Sequence, residues 1–410
     1  MLYRLEIENF FSVRDSQVLD LTIAPNVSDP EGRFAPLFPG STLRAPKVVA
    51  LYGSNASGKT TVLKALQFLI SFAKDSVGRT VPGFALERFN DEASMARPIK
   101  LAIELSGVMD LSPERRSQVE NGEEVPWGQY RYELELEVKG GLAQRVASEA
   151  LRQKPDGKGK WQRVFERDIN GDVKGCSSFP ISGFRHLLNT LQPNASVISS
   201  FALFQHPTAT ILTDSLGIVF GNLAWEGANP NDQTVVNFLA NEPELVAELN
   251  RDLSRIDIGV EQMRIESGPN GPFPMFRHEG LALEMPWSLE SHGTRAFIRL
   301  FPLLALTLAR GGIAIIDEFD LMIHPLVLPE LLRWFYDKEA RNPHDAQLWI
   351  SCHSASLLDD LAKEEVAFCE KDSQGRTSIY SLMDVKSVRR DDNLYRKYLS
   401  GAYGAVPHIG

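Results

Sequence analysis

The sequence predicts an α/β protein, with a parallel sheet fed by strands from both ends of the chain and a long, mainly helical insertion between them. Three observations carry that expectation. Around residue 50 an apolar strand, "KVVALYG", runs through the glycine loop "SNASGKT" into the helically spaced "TVLKALQFLISFAK". The last third alternates strand-like and helix-like runs, from "GGIAIIDEF" to "TSIYSLMD". The stretch between them shows neither pattern for long. A chain of 410 residues has room for two or three domains, or for one large core with an insertion.

Taken in order, "YRLEIENF" and "DSQVLDLTI" alternate apolar and polar residues and read as two strands. A loop rich in Pro, Gly and Ser follows, from Pro25 to Pro46, and leads into the strand, loop and helix just quoted. "IKLAIELSG", "YRYELELEVKGG" and "WQRVFERD" read as further strands, and Ser182 to Glu248 mostly as helices with long loops. "EQMRIESGPNGPFPMFRHEG" reads as a hairpin turning at its Pro/Gly cluster. In the last third "LPELLRWFYD" and "SASLLDDL" read as helices, and "AQLWISCH", "EVAFCEKD" and "TSIYSLMD" as strands. The expected organisation is residues 1–105 as the first part of the core, 106–256 as an insertion of β-hairpins followed by helices, and 257–410 as the second part.

Composition narrows the class. A hydrophobic fraction of 43% and a charged fraction of 23% are ordinary for a globular protein. No apolar run approaches the roughly 20 residues needed to cross a bilayer, so no membrane role is expected. The three cysteines, Cys176, Cys352 and Cys369, form no CxxC pair, which argues against a zinc site or disulfide framework and fits a cytoplasmic location. A formal charge of −10 speaks against a protein coated in nucleic acid. Contact with nucleic acid would need a local basic patch. The candidate is Lys386, Arg389, Arg390, Arg396 and Lys397, interleaved with Tyr395 and Tyr398; a solvated helix face paired with Asp391 and Asp392 explains it better. The closing "SGAYGAVPHIG" is apolar and glycine-rich, and is expected to dock on the core.

Two constellations carry chemistry. "GSNASGKT", Gly53 to Thr60, matches G-x-x-x-x-G-K-[ST] in full and sits between an apolar strand and a helix, where that motif works. Glycines at 53 and 58 let the backbone of Gly53, Ser54, Asn55, Ala56, Ser57 and Gly58 turn its N–H groups inward on phosphates, beside a helix N-terminus that begins near Lys59, Thr60 and Thr61. Lys59 is expected to span the β- and γ-phosphates, and Thr60 to ligate Mg²⁺. The pattern does not separate ATP from GTP. The second constellation is "IAIIDEFD", which ends a buried strand on Asp317 and Glu318, the look of a Walker B motif. Asp317 is expected to hold Mg²⁺ and Glu318 to orient the attacking water; adjacent carboxylates at that place are costly unless a cation or water compensates. "LWISCHSAS" ends another strand on His353, placed to hydrogen-bond a γ-phosphate, while His324 in "MIHP" either faces the nucleotide or caps the next helix.

The order of phosphate loop, long insertion, "ESHGT", helix, "DEFD", "HP", strand and "CHS" resembles the ABC/SMC class of ATPases. More narrowly it resembles the prokaryotic AAA family ATPases that include RloA-like proteins and the ATPase subunit of PARIS defence systems, with OLD-family ATPase domains as more distant relatives. The resemblance covers the N-terminal strands through the phosphate loop and the chain from about Asp257 onward. It implies a P-loop NTPase of ABC-ATPase type, an ATPase with ATP and Mg²⁺ as cofactors, working as a homo-oligomer with nucleotide between head-to-tail protomers. It also implies that Ser291 and Gly293 are the signature residues, serving the γ-phosphate of a neighbouring copy. His292 stands where a typical ABC signature has a second glycine, a position that is polar in the narrower family. The implied role is a sensor or gating subunit of anti-phage defence, with a separate effector such as a TOPRIM-type nuclease. Two other classes remain open: a DNA-repair or DNA-structure ATPase, disfavoured by net charge and the lack of sustained heptads, and a self-contained OLD-like nuclease, for which no further carboxylate cluster is found in the last third of the sequence.

Overall fold

The computed structural model describes residues 1–77, 85–216, 219–223, 232–256, 259–321, 323–386, 388–390 and 392–407. Its centre is a six-stranded sheet in the order Val219–Gly221, Ile313–Ile316, Gln347–Ser351, Val48–Tyr52, Val366–Lys371, Thr377–Ser381. The first five strands are mutually parallel and the last is antiparallel to its neighbour. Strands buried on both faces need continuous apolar runs, and "VVALY" and "QLWIS" are buried at every position. Successive side chains then feed opposite cores. Val49, Leu51, Ile315 and Trp349 join the core on one side of the sheet; Val48, Ala50, Tyr52, Ala314, Ile316, Leu348 and Ile350 join the core on the other.

The first of these cores is roofed by a seven-stranded antiparallel sheet, in the order Val173–Gly175, Gln162–Arg167, Leu142–Pro155, Trp127–Lys139, Ile99–Val108, Leu2–Glu8, Gln17–Asp20. The phosphate-loop helix Lys59–Asp75 lies between the two sheets, burying Val62, Leu66, Phe68 and Phe72 among Leu5, Ile7, Leu134 and Leu136 of the roof. The alternation in "YRYELELEV" sends Tyr132, Leu134, Leu136 and Val138 inward. Its outward residues make ion pairs: Arg131 meets Glu6, Glu104 and Glu133, each at 2.8 Å.

The roof changes one expectation and adds a strand that the sequence did not announce. A boundary at residue 105 falls inside the strand Ile99–Val108, and the hairpins beyond it extend the N-terminal sheet instead of forming a separate insertion. Leu142–Pro155, fourteen residues long, carries no strand signature in sequence. "LAQRVASEALRQKP" is rich in helix formers, and its pairing with Trp127–Lys139 shifts register twice, so no clean period of two survives. Pairing partners override its local propensity.

On the far side of the parallel sheet, helices His292–Arg310 and Leu328–Tyr336 cover the second core, with helices Asp232–Ala240 and Pro243–Ile256 and the hairpin Val260–Gly268/Gly271–His278 packed outside them. "SASLLDDL" forms a 3-10 turn over Ala355–Asp360. The tail docks as its composition suggests: Tyr398 stacks on Phe368 at 5.5 Å, and Tyr403 and Ala405 are buried, while residues 408–410 lie outside the described residues. The basic segment is paired, with Lys397 on Asp392 at 2.6 Å and Arg390 on Glu364 at 3.2 Å; Asp391 lies outside the described residues. Among the described residues no helix is long and apolar enough to cross a membrane.

Candidate functional site

Parallel α/β sheets present their loops for chemistry at the carboxyl ends of the strands, and here three strands end on one cleft of about 1040 Å³. It is lined by Asn55, Ala56, Ser57, Gly58, Lys59, Thr60 and Thr61 from the phosphate loop, and by Asp317, Glu318, Ser351 and His353 from the neighbouring strand ends.

The loop's shape follows from its glycines and from what lies under them. Gly53 has φ +151°, and a Cβ there would come within 2.2 Å of the Cys369 carbonyl oxygen. Gly58 has φ +111°, and a Cβ there would meet Thr377 Oγ1 at 2.5 Å. Thr377 braces the loop further by donating to the Ser57 carbonyl at 2.8 Å. Left-handed residues within such a loop, here Ala56 at φ 61° and Gly58, fold peptide N–H groups onto its concave side. Lys59 is nearly buried and donates to the carbonyls of Gly53 at 2.9 Å and Ser54 at 3.0 Å, so these two residues sit behind the loop and hold its lysine. Burial pushes the Lys59 ammonium below its ordinary pKa, and the negative charge of Asp317 opposes that shift.

Asp317 is brought to the loop across 257 residues of sequence. The Thr60 hydroxyl donates to its Oδ2 at 2.9 Å. Two hard oxygen donors meeting at a phosphate-binding loop fit Mg²⁺, which takes one or two protein oxygens and completes its shell with phosphate and water. No cluster of three His, Cys, Asp or Glu side chains that could hold a metal occurs among the described residues. Glu318 has φ 52°, a conformation costing a non-glycine residue about 1–3 kcal/mol. Asp320 accepts the main-chain N–H groups of His353 at 2.9 Å and Ser354 at 2.5 Å, tying the turn after Glu318 to the turn that carries the histidine.

The structure thus brings together Lys59, Thr60, Thr61, Asp317, Glu318 and His353. It does not bring Ser291 and Gly293 to this cleft. They lie at the start of the helix His292–Arg310, where Ser291 is the cap: its Oγ accepts the Thr294 N–H at 3.0 Å. The preceding Glu290 is buried and meets His278 Nε2 at 2.6 Å, fixing the cap to the hairpin. His324 caps a local turn, with its Nδ1 3.3 Å from the Leu326 nitrogen, and is absent from the residues that line the cleft.

Sequence reasoning missed several participants. Phe11, Arg88, Phe89 and Asn90, with Lys371 and Gln374, also line the cleft. Lys64 sits 5.2 Å from the centre of the Phe11 ring. Thr377 lies 320 residues from the loop it supports, and Ser351 and Asn222 contact the Asp317–Glu318 turn. No local pattern marks any of them.

Solved structures similar to this chain include the SMC head domain from Thermotoga maritima, 13% identical with a TM-score of 0.41, over 93% of this chain and 98% of that one. Another is an SmcHead bound to the C-winged helix domain of ScpA, 11% identical with a TM-score of 0.43, over 92% of this chain and 97% of that one. No curated protein matches the chain. The family described as "AAA domain, putative AbiEii toxin, Type IV TA system" matches residues 48–154 and 219–359, which takes in the phosphate loop, the paired carboxylates, the cap at Ser291 and His353. With more than half of its length matched, the chain belongs to that family of AAA ATPase domains.

Proposed function

We propose that the protein binds and hydrolyses ATP between two head-to-tail copies, as the sensor or gating subunit of an anti-phage system whose separate effector is a nuclease. The observation that carries the ATPase reading is the meeting of Thr60 and Asp317 at 2.9 Å, in the cleft that Lys59 and Glu318 also line. The phosphate loop binds the triphosphate with its N–H groups, and Lys59 leaves the carbonyls of Gly53 and Ser54 for phosphate oxygens. Thr60 and Asp317 would hold Mg²⁺, which would supply positive charge against the phosphates. Glu318 accepts a proton from the attacking water and holds it in line, and His353 donates to the γ-phosphate from the end of the neighbouring strand. The wall containing Phe11 and Phe89 offers aromatic faces for the base.

Ser291 and Gly293 support the two-copy reading because they are exposed or half-exposed at a helix start and do not line the cleft of their own chain. A second copy turned head to tail brings them to the phosphate, where the cap's donors act on developing charge. The defence role and the nuclease effector rest on the resemblance of the motif order, and a family described as a putative toxin of a toxin–antitoxin system is in keeping with a harmful effector under ATP control.

Mass measurement of the purified protein with and without ATP and Mg²⁺ tests this reading. Glu318→Gln is expected to bind ATP and accumulate as a dimer or larger assembly, and Lys59→Ala to bind none and stay unassembled. A Glu318→Gln protein that turns over at the parent rate would refute the base assignment. Phage plating on cells carrying this gene with its neighbours should rise to the unprotected level in Lys59→Ala; no protection by the parent would remove the defence role.

A further inference from the structure

Two side chains beside the paired carboxylates have no task in that reaction. Asn222 follows the edge strand Val219–Gly221, and its own N–H continues the ladder by donating to the Ile315 carbonyl at 3.2 Å. Its side-chain nitrogen donates to the Asp317 carbonyl at 2.9 Å, and its side-chain oxygen accepts the Asp317 N–H at 2.7 Å. The primary amide therefore acts as one further peptide unit, pairing with Asp317 after the edge strand itself has ended. Ser351 grips the next residue from the other side. Its hydroxyl accepts the Glu318 N–H at 2.8 Å, which commits the hydroxyl proton to Asp317 Oδ1. Its carbonyl accepts the Phe319 N–H at 3.0 Å.

Between these grips Glu318 holds φ 52°. A residue with a long side chain keeps that conformation only where its surroundings over-determine it. Five hydrogen bonds from two side chains and one carbonyl do so here. Released, Glu318 falls to ordinary negative φ, the peptide between Asp317 and Glu318 rotates, and the two carboxylates lose their separate directions.

We propose that Asn222 and Ser351 are positioning residues that hold the Asp317–Glu318 turn so that Asp317 faces Thr60 while Glu318 faces the open cleft. This rests on the reading of the cleft as an ATPase site. Asn222 acts from outside the cleft and Ser351 from its wall. The effect belongs to the metal and the attacking water, not to the phosphate loop, and that division makes it measurable.

The test compares the parent with Asn222→Ala, Ser351→Ala and Ser351→Thr. Binding of a fluorescent ATP analogue is measured in EDTA and again with Mg²⁺, beside steady-state turnover. Both alanine variants are expected to bind in EDTA within about twofold of the parent, and to lose ~10–100-fold of kcat with little change in KM. The gain in affinity on adding Mg²⁺ should shrink about tenfold or more. Ser351→Thr keeps the hydroxyl and should recover most of both losses. Alanine variants that keep the parent's Mg²⁺ gain and kcat overturn the proposal. So does a loss that falls equally on EDTA binding and turnover, the mark of a merely structural role. A parent that binds nucleotide without hydrolysing it sinks the hydrolysis reading and leaves the Mg²⁺ gain to decide the clamp. A parent that binds none overturns both.

Discussion

The outer face of the antiparallel sheet and the cleft at the end of the parallel sheet are both rich in charge, yet they spend it differently. On the sheet, Arg131 is shared among three carboxylates and Arg4 reaches Glu6 at 2.9 Å and Asp20 at 2.8 Å. The donors and acceptors there are matched within the chain. In the cleft, Asp317 is held at both its main chain and its carboxylate, whereas Glu318 is held through its main chain and sits at positive φ on the cleft. Charge that is paired at home stabilises a surface; charge held by its backbone and left facing a cleft is kept for a visitor.

The comparison breaks most sharply at Glu318. Glu318→Gln keeps the size and the backbone and removes the proposed base, so turnover should fall ~100-fold or more while nucleotide binding stays. A single-turnover assay with radiolabelled ATP checks it. Ser291→Arg comes next: on the proposed two-copy arrangement the missing donor serves the other copy's cleft, so binding by one copy should persist and turnover fall by ~100-fold. Mixing it with a Lys59→Ala partner sharpens the case. If activity returns in the mixture, one intact cleft has been assembled from two defective chains.

The two faces of the antiparallel sheet differ in pH as well. Arg131 holds the Glu6 carboxyl on the outer face down to about 2, and burial pushes Glu149 beneath the sheet up to about 7. The stabilising contribution of Glu6 is present above the ordinary carboxyl value and is lost as pH falls toward 2. Glu149 acts in the opposite direction. Between about 4.5 and 7 the folded state keeps a proton that the unfolded chain has released, so stability falls as pH rises through that window and is level above it. Glu149→Gln should flatten the slope between pH 4.5 and 7.5, a change of about 1–3 kcal/mol, read by urea unfolding at the two pH values. The smallest effect belongs to Arg145, which meets Glu137 at 2.9 Å with both side chains well exposed. Arg145→Ala should leave turnover untouched and the melting temperature within about 1 °C.

What was legible in the sequence had local causes. The loop from Gly53 to Thr60 is contiguous, and Asp317, Glu318 and His353 each close an apolar run, so each could be placed on a strand end before the strands were ordered. Asn222 and Ser351 were not legible, because what they do depends on which strands are neighbours. "FGNLAWEG" and "LWISCHSAS" look no different whether or not they flank Asp317. Leu142–Pro155 was not legible for the same reason in reverse: its composition favours a helix, and only its partners make it a strand.

The place of the phosphate-loop strand in the sheet has a consequence for biosynthesis. Val48–Tyr52 lies between Gln347–Ser351 and Val366–Lys371, and the Cys369 carbonyl packs against Gly53. A nascent chain therefore displays the whole loop sequence long before it owns the floor that shapes it. Such far-separated pairings form late and slowly. The loop thus takes its shape only after the strands Gln347–Ser351 and Val366–Lys371, about 300 residues further along, have been made.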